Sequence, residues 1–334
     1  MQLGIWCPAP QTIRPDAETT ESFAALTRHG GGVDESFLYA VSILQRAEEL
    51  GFDISLIAQR YLGPDLDSWM FAAALAPVTR RIKIMAALHP GIADPRVAAK
   101  MAVSLDRISG GRFCINIVNG LRKDEFESYG HWLDQTGPRY QRMDEFISVM
   151  KALWTQDGFD FNGAYYTVKH GSLPTKSVQV GHPPLYAASR VDDGMEIVAR
   201  DCDAWFVNYE KDRRLHDQSL LRIEREMKVM AEKRRRHGRP GITYGINGLV
   251  IIAETDAEAE ALAEEHLKAV QTDKSIHVGT SGLGANLIGS PKTVIERFRR
   301  YESMGIDLFM LFFHPMRDGL ETFAREVMPE LRRS

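Results

Sequence analysis

One feature constrains this chain of 334 residues more than any other. Short apolar runs alternate with stretches whose apolar positions recur at helical spacing, from one end to the other. The runs at 3–7, 52–58, 82–88, 113–118, 185–188, 204–208, 242–252 and 307–313 read as strands. Those at 35–50, 67–79, 95–108, 138–154, 191–200, 212–237, 256–270, 291–304 and 318–331 read as helices. FCINIV, residues 113–118, is nearly all apolar, as expected of a strand covered on both faces in a parallel sheet. Pro95 and Pro291 suit first helical turns, and Gly51 and Gly305 suit helix ends. Eight strand–helix units predict a closed (β/α)8 TIM barrel with insertions, built as one domain over 1–334. FDFNGAYYTV, with its Asn162-Gly163 turn, predicts a small hairpin inserted on that scaffold. The polar, glycine-bearing segments 9–33 and 271–286 are expected to be mobile loops. The alternative topology is an open doubly wound sheet. Its dinucleotide form needs GxGxxG after the first strand, where this chain has Pro8-Ala9-Pro10.

Composition narrows the function classes. A net charge of -4 argues against a nucleic-acid surface, and the basic run KRRR at 233–236 reads as a solvated helix face. Cys7, Cys114 and Cys202 form no CxxC pair and no zinc spacing, which suits a reducing cytoplasm. No stretch is long and apolar enough to span a bilayer, and no secretory leader is visible.

In a barrel the chemistry sits where the strands end. Here those positions carry Trp6, Gln59, His89, Asn116 to Gly120, Ser189, Arg190, Asn208, Asn247 and His314. The set holds no carboxylate pair for glycoside hydrolysis, no His/Asp cluster for a metal and no GxSxG elbow. A large cleft without metal ligands or a nucleophile often takes its chemistry from an organic cofactor. Ser189 precedes a helix whose free N–H groups suit a phosphate, although a plain N-cap is an equal reading. Arg190 offers a charge-assisted bond to the same anion. Asn116 and Asn119 carry amides that can both donate and accept, or can close a strand and a turn. Tyr140 alone reads as a helix anchor.

Four ordered stretches carry a resemblance that covers most of the chain: residues 89–120 (HPGIADPRVAAKMAVSLDRISGGRFCINIVNG), 130–166, 182–208 and 284–311. Through them the chain resembles the bacterial luciferase-like superfamily of flavin-dependent enzymes, in its alkanesulfonate and dimethylsulfone monooxygenase branch. The resemblance implies a (β/α)8 barrel that binds reduced FMN (FMNH2), supplied by a separate NAD(P)H:flavin reductase, and uses O2. It also implies a homodimer or homotetramer. By resemblance, Asn119 and neighbouring Asn116 lie beside the isoalloxazine or the oxygen site. Tyr140 and Ser189 contact the flavin phosphate.

The departures matter as much. The second serine of the family's phosphate turn is Arg190 here, and the glycines before it are Ala187 and Ala188. The arginine and histidine of alkanesulfonate enzymes are Asn247 and Leu249, so a fixed anion would lack its compensating charge. The threonine of relatives that oxygenate through flavin N5 is Ala87, which weakens that route. His314 replaces a tyrosine and His89 a leucine or arginine, making both candidate acids or bases. These features predict a two-component FMNH2-dependent monooxygenase for a small neutral organosulfur substrate such as dimethylsulfone. The alternatives are oxidative cleavage of a larger ring, as in a riboflavin lyase, an alkanesulfonate monooxygenase, an F420-dependent dehydrogenase, or a flavin-binding accessory protein.

Overall fold

A computed structural model describes residues 1–9, 32–120, 123–129, 136–272 and 282–333. Most of the two expected mobile loops, 10–31 and 273–281, lies outside the described residues. The strands are β1 (Gln2–Trp6), β2 (Ile54–Ile57), β3 (Lys83–Leu88), β4 (Phe113–Ile117), β5 (Phe159–Asn162), β6 (Thr167–Gly171), β7 (Leu185–Ala187), β8 (Ala204–Phe206), β9 (Thr243–Ile252), β10 (Leu287–Gly289) and β11 (Leu308–Phe313). The nine-stranded sheet runs β10-β9-β11-β1-β2-β3-β4-β7-β8 and closes through β8–β9, and β10 stands outside the ring. Every pairing in it is parallel. This is the (β/α)8 barrel expected from the alternation, not an open sheet.

Three of the early helices start where short polar side chains satisfy their first N–H groups. We number those used below α1 (Glu35–Leu50), α2 (Ser68–Leu75), α3 (Pro95–Ser109), α4 (Lys123–Ser128), α5 (Thr136–Thr155), α6 (Asp192–Asp201), α7 (His216–Arg236) and α8 (Asp256–Thr272). Asp34, Asp67 and Asp94 accept from the first turns of α1, α2 and α3. Gly110 ends α3 at φ 67°, a conformation in which a Cβ would be strained.

Strand residues alternate between two packing environments. One set, with Leu3, Ile5, Ile84, Phe113 and Ile115, packs against the helices. The other, with Ile54, Leu56, Met85, Cys114, Tyr186, Phe206 and Met310, fills the barrel. A Cβ on Gly4 would meet Met310 Sδ at 2.3 Å, so glycine there makes room for the methionine that plugs the interior. The barrel is therefore a packed core, and binding space belongs above it, at the strand ends.

The structure departs from the sequence reading in five places, the first being the short helix α4, which the alternation did not announce. Leu287–Gly289 is a strand where a loop-to-helix passage was expected. Residues 283–285, assigned to a mobile loop, form a buried 3-10 turn under β9. The last helix is interrupted by a π turn over Phe323–Val327. Finally, KRRR is not wholly solvated. Lys233 and Arg234 are buried, Lys233 binding Asp192 and Glu196 at 2.7 and 2.8 Å. Arg234 donates to the carbonyls of Ala199, Cys202 and Gly241. Among the described residues no helix is long and apolar enough to cross a membrane.

Candidate active site

Because all barrel strands are parallel, their C-terminal ends share one rim. The helices return antiparallel to them, so helix starts also reach that rim. Tyr140 in the first turns of α5 and Ser189 between β7 and α6 are thus brought together, although 49 residues separate them. Ser189 Oγ lies 3.2 Å from the Tyr140 hydroxyl, and both residues are buried. The amide of Val191 donates back to Ser189 Oγ at 3.3 Å. Beside them stands Gly194, in the first turn of α6. A Cβ there would lie 2.2 Å from Ser189 Oγ and 2.3 Å from the Tyr140 ring. Helix α6 has no side-chain cap, so its first amides remain available. Two hydroxyls and an uncapped helix start are a suitable donor set for a phosphate. Acidic Asp192 in the same turn is drawn to Lys233, which offsets its charge.

Arg190 does not join this cluster. It is exposed, and its guanidinium donates to the Tyr209 carbonyl at 3.0 Å. Asn116 and Asn119 stand at the end of β4. Asn116 is level with Ala87 and Tyr186 on the neighbouring strands, shares the inward parity of Cys114 and is 8% exposed. Asn119 Nδ2 is buried with no hydrogen-bond partner among the described residues. An orphaned buried donor is costly, and a ligand carbonyl at the rim would satisfy it. The residues present therefore fit a flavin: a hydroxyl cradle for the phosphate, and amides for the pyrimidine ring.

The two candidate histidines lie apart from the cradle and from each other. His89 follows β3, only 4% exposed, its ring edge-on to Tyr61 and Phe126. Burial lowers its pKa to about 4, and nearby Arg60 adds to this against the opposing Gln59 contact. Its Nε2 faces the Gln59 carbonyl at 3.4 Å, so Nε2 carries the proton and Nδ1 is left as a bare acceptor. At neutral pH His89 accepts hydrogen bonds and supplies no proton of its own. His314 directly follows β11, its ring 4.5 Å from that of His266 on α8.

Trp6 and Phe312 stack at 4.6 Å on the inward side of adjacent strand ends. The Trp6 indole donates to Asn247 Oδ1 at 3.1 Å, which leaves the Asn247 amide group as a neutral donor. Leu249 packs in an apolar cluster with Phe312. Of the arginines around the rim, Arg60 pairs with buried Glu125 at 3.3 Å and Arg213 pairs with Glu260 and Glu264, whereas Arg190 donates to a carbonyl and Arg139, 5.6 Å over the Tyr140 ring, has a buried Nε with no hydrogen-bond partner among the described residues. Sequence reasoning missed Gly194, His266 and the Arg60–Glu125 pair. A glycine inside the first turn of a helix was a readable signal for Gly194; the other two depend on contacts made only by folding.

A parallel barrel whose rim gathers two buried hydroxyls, an uncapped helix start and the unpaired Asn119 amide offers groups suited to an organic cofactor that carries a phosphate. The profile of the luciferase-like monooxygenases matches residues 1–286, and the chain belongs to that family. It is accordingly an FMN-dependent monooxygenase with O2 as cosubstrate. The FMNH2-dependent dimethylsulfone monooxygenase of Pseudomonas putida is 28% identical over 328 residues, covering 88% of each chain. A crystal structure of riboflavin lyase with modified FMN and riboflavin superposes with a TM-score of 0.79 at 18% identity, covering 99% of this chain and 91% of that one. DmoA from Hyphomicrobium sulfonivorans superposes at 0.76 with 18% identity, covering 100% and 88%. At that identity the two likenesses show the fold alone.

Proposed function

We propose that this monooxygenase is a two-component enzyme that takes FMNH2 from a separate NAD(P)H:flavin reductase and oxygenates a small neutral organosulfur compound such as dimethylsulfone. The observation that carries the reading is the neutral end of β9, where Asn247 and Leu249 stand at positions a sulfonate would need to be cationic. The similarity to a dimethylsulfone monooxygenase supports the same class.

Reduced FMN, when bound, supplies the electrons that activate O2. The chain's own residues bind and orient. Tyr140, Ser189 and the first amides of α6 would hold the phosphate, with Gly194 keeping their approach open. Asn119 and Asn116 would position the ring. The Trp6–Phe312 plate excludes water from one side of the rim, and the Asn247 amide offers a hydrogen bond to a sulfone oxygen. Neutral His89 would accept a hydrogen bond through Nδ1, and His314, beside His266, would take or return a proton. The same aromatic plate favours one second reading, a planar ring substrate such as riboflavin. Three buried thiols fit a cytoplasmic protein, and a homodimer or homotetramer is the expected assembly.

The test is a panel of dimethylsulfone, an alkanesulfonate, a pyrimidine and riboflavin, each offered to the FMNH2-loaded protein with O2 and analysed by mass. Oxygen incorporation from O2 into the sulfone alone supports the proposal. Turnover of the sulfonate in preference to the sulfone contradicts it.

A further inference from the structure

Helix α8 is tied at three places around the rim. In its first turn Asp256 accepts from the Ser290 amide at 2.7 Å and from Thr293 Oγ1 at 2.9 Å, just beyond β10. Further along, Glu260 and Glu264 both pair with Arg213, which follows β8. Near its far end buried His266 meets His314, which follows β11. In the ring β9 lies between β8 and β11, and β10 stands outside. A helix tied at all three places crosses the rim above the end of β9, from outside inwards. The return to the start of β11 is made by a second helix, Pro291–Ser303. The face α8 turns downward carries Ala259, Leu262, Ala263, His266 and Leu267 at helical spacing. Ala259 and Ala263 are buried in a cluster with Leu249, Ile251 and Phe312. Leu262 and Leu267 are half-buried and pack on that cluster, as Trp6 does from β1.

On the β8 side of α8 lies a solvent-open cleft of about 370 Å3. Its mouth is charged, with Lys211, Asp212 and Arg214, and its apolar wall is Leu267 and Leu283. Leu283 is itself part of the cluster that holds Phe312, and Leu267 packs on it. The two leucines therefore stand between the cleft and the Trp6–Phe312 plate. Leu283 is 3% exposed and fixed in the 3-10 turn, beside Gly282, whose carbonyl accepts from the Leu249 amide at 3.0 Å. Leu267 hangs from a helix already anchored by its charged residues, so its size can change without unseating the wall. We propose that Leu267 sets the length of substrate this enzyme accepts: its side chain shuts the plate off from the cleft and confines the space beside Trp6 and Asn247 to a compound as short as dimethylsulfone. The proposal rests on the organosulfur reading and adds the residue that limits size. An apolar wall discriminates by about ten- to two-hundredfold for each methylene it excludes.

Anaerobic titration of the FMNH2-loaded protein with dimethylsulfone and with dipropyl sulfone tests this without turnover, and kcat/KM for the same pair tests it with O2. The wild type is expected to favour dimethylsulfone. Leu267→Ala joins the cleft to the plate and is expected to move the ratio of the two affinities by about tenfold or more towards dipropyl sulfone. Leu267→Met, a swap of similar volume, is expected to keep the wild-type ratio. Unchanged FMNH2 affinity shows that each variant folds; if Leu267→Ala does not, Leu267→Val makes the same test with a smaller shift in the same direction. A folded, shortened variant with the wild-type ratio would overturn the role of Leu267, as would a wild type that bound both sulfones equally. A wild type that bound FMNH2 but neither sulfone would contradict the organosulfur reading, and the proposal with it.

Discussion

At the scale of single residues, Gly194 and His89 make the sharpest demands. Gly194 lets Ser189 and Tyr140 close on the start of α6, and any side chain there meets both. Gly194→Ala should raise helix propensity yet weaken FMN binding by about tenfold or more, because the cradle must open to admit the methyl. Flavin fluorescence titration beside a urea melt separates the two effects; equal affinity would show that the cradle does not hold FMN. His89 makes a different prediction. Its folded pKa, about 4, lies below its unfolded value of about 6.5. The unfolded chain therefore takes up a proton first as pH falls. The contribution of neutral His89 is complete above about pH 6.5 and is lost progressively down to about pH 4. Urea unfolding should show the wild type losing roughly 3 kcal/mol more than His89→Asn across that window. Parallel losses would mean that the imidazole is solvated.

At the scale of elements, two charged side chains anchor pieces the alternation alone does not place. Glu145 of α5 accepts from the amides of Ala164, Tyr165 and Tyr166 at 2.7–3.1 Å, fixing the turn of the β5–β6 hairpin. The Tyr166 hydroxyl then ties the hairpin to the Pro90 carbonyl, beside His89. Glu145→Ala should cost about 2 kcal/mol and speed hydrogen exchange across the hairpin more than in the barrel strands. A uniform rise across all strands would contradict a local anchor. Arg234 clamps α7 onto the end of α6 and onto Gly241. Arg234→Ala should destabilise by about 3 kcal/mol in urea, since it strands the buried carbonyls of Ala199 and Cys202, and a loss under about 1 kcal/mol would return that residue to the solvated face. The eight barrel strands were legible because burial on both faces writes a continuous apolar run. β10 was not, because three residues between a turn and a proline-started helix write no period. Arg234 was misread because charge marks surface in a sequence, and its partners are carbonyls that any residue supplies.

For the whole molecule, closing the ring turns dispersed positions into one rim. Trp6 meets Asn247 across 241 residues and Ser189 meets Tyr140 across 49. The positions that could carry chemistry were readable as strand ends; their division into a cradle, an aromatic plate and two separate histidines was not, because that division depends on packing. The central claim is that Ser189 and Tyr140 hold the phosphate of reduced FMN at this rim. Anaerobic titration of FMNH2 into the wild type, Ser189→Ala and Tyr140→Phe tests it most directly. The account predicts tight binding by the wild type and about tenfold weaker binding by each variant, with the loss absent for reduced riboflavin, which has no phosphate. Unchanged FMNH2 affinity in both variants would contradict it.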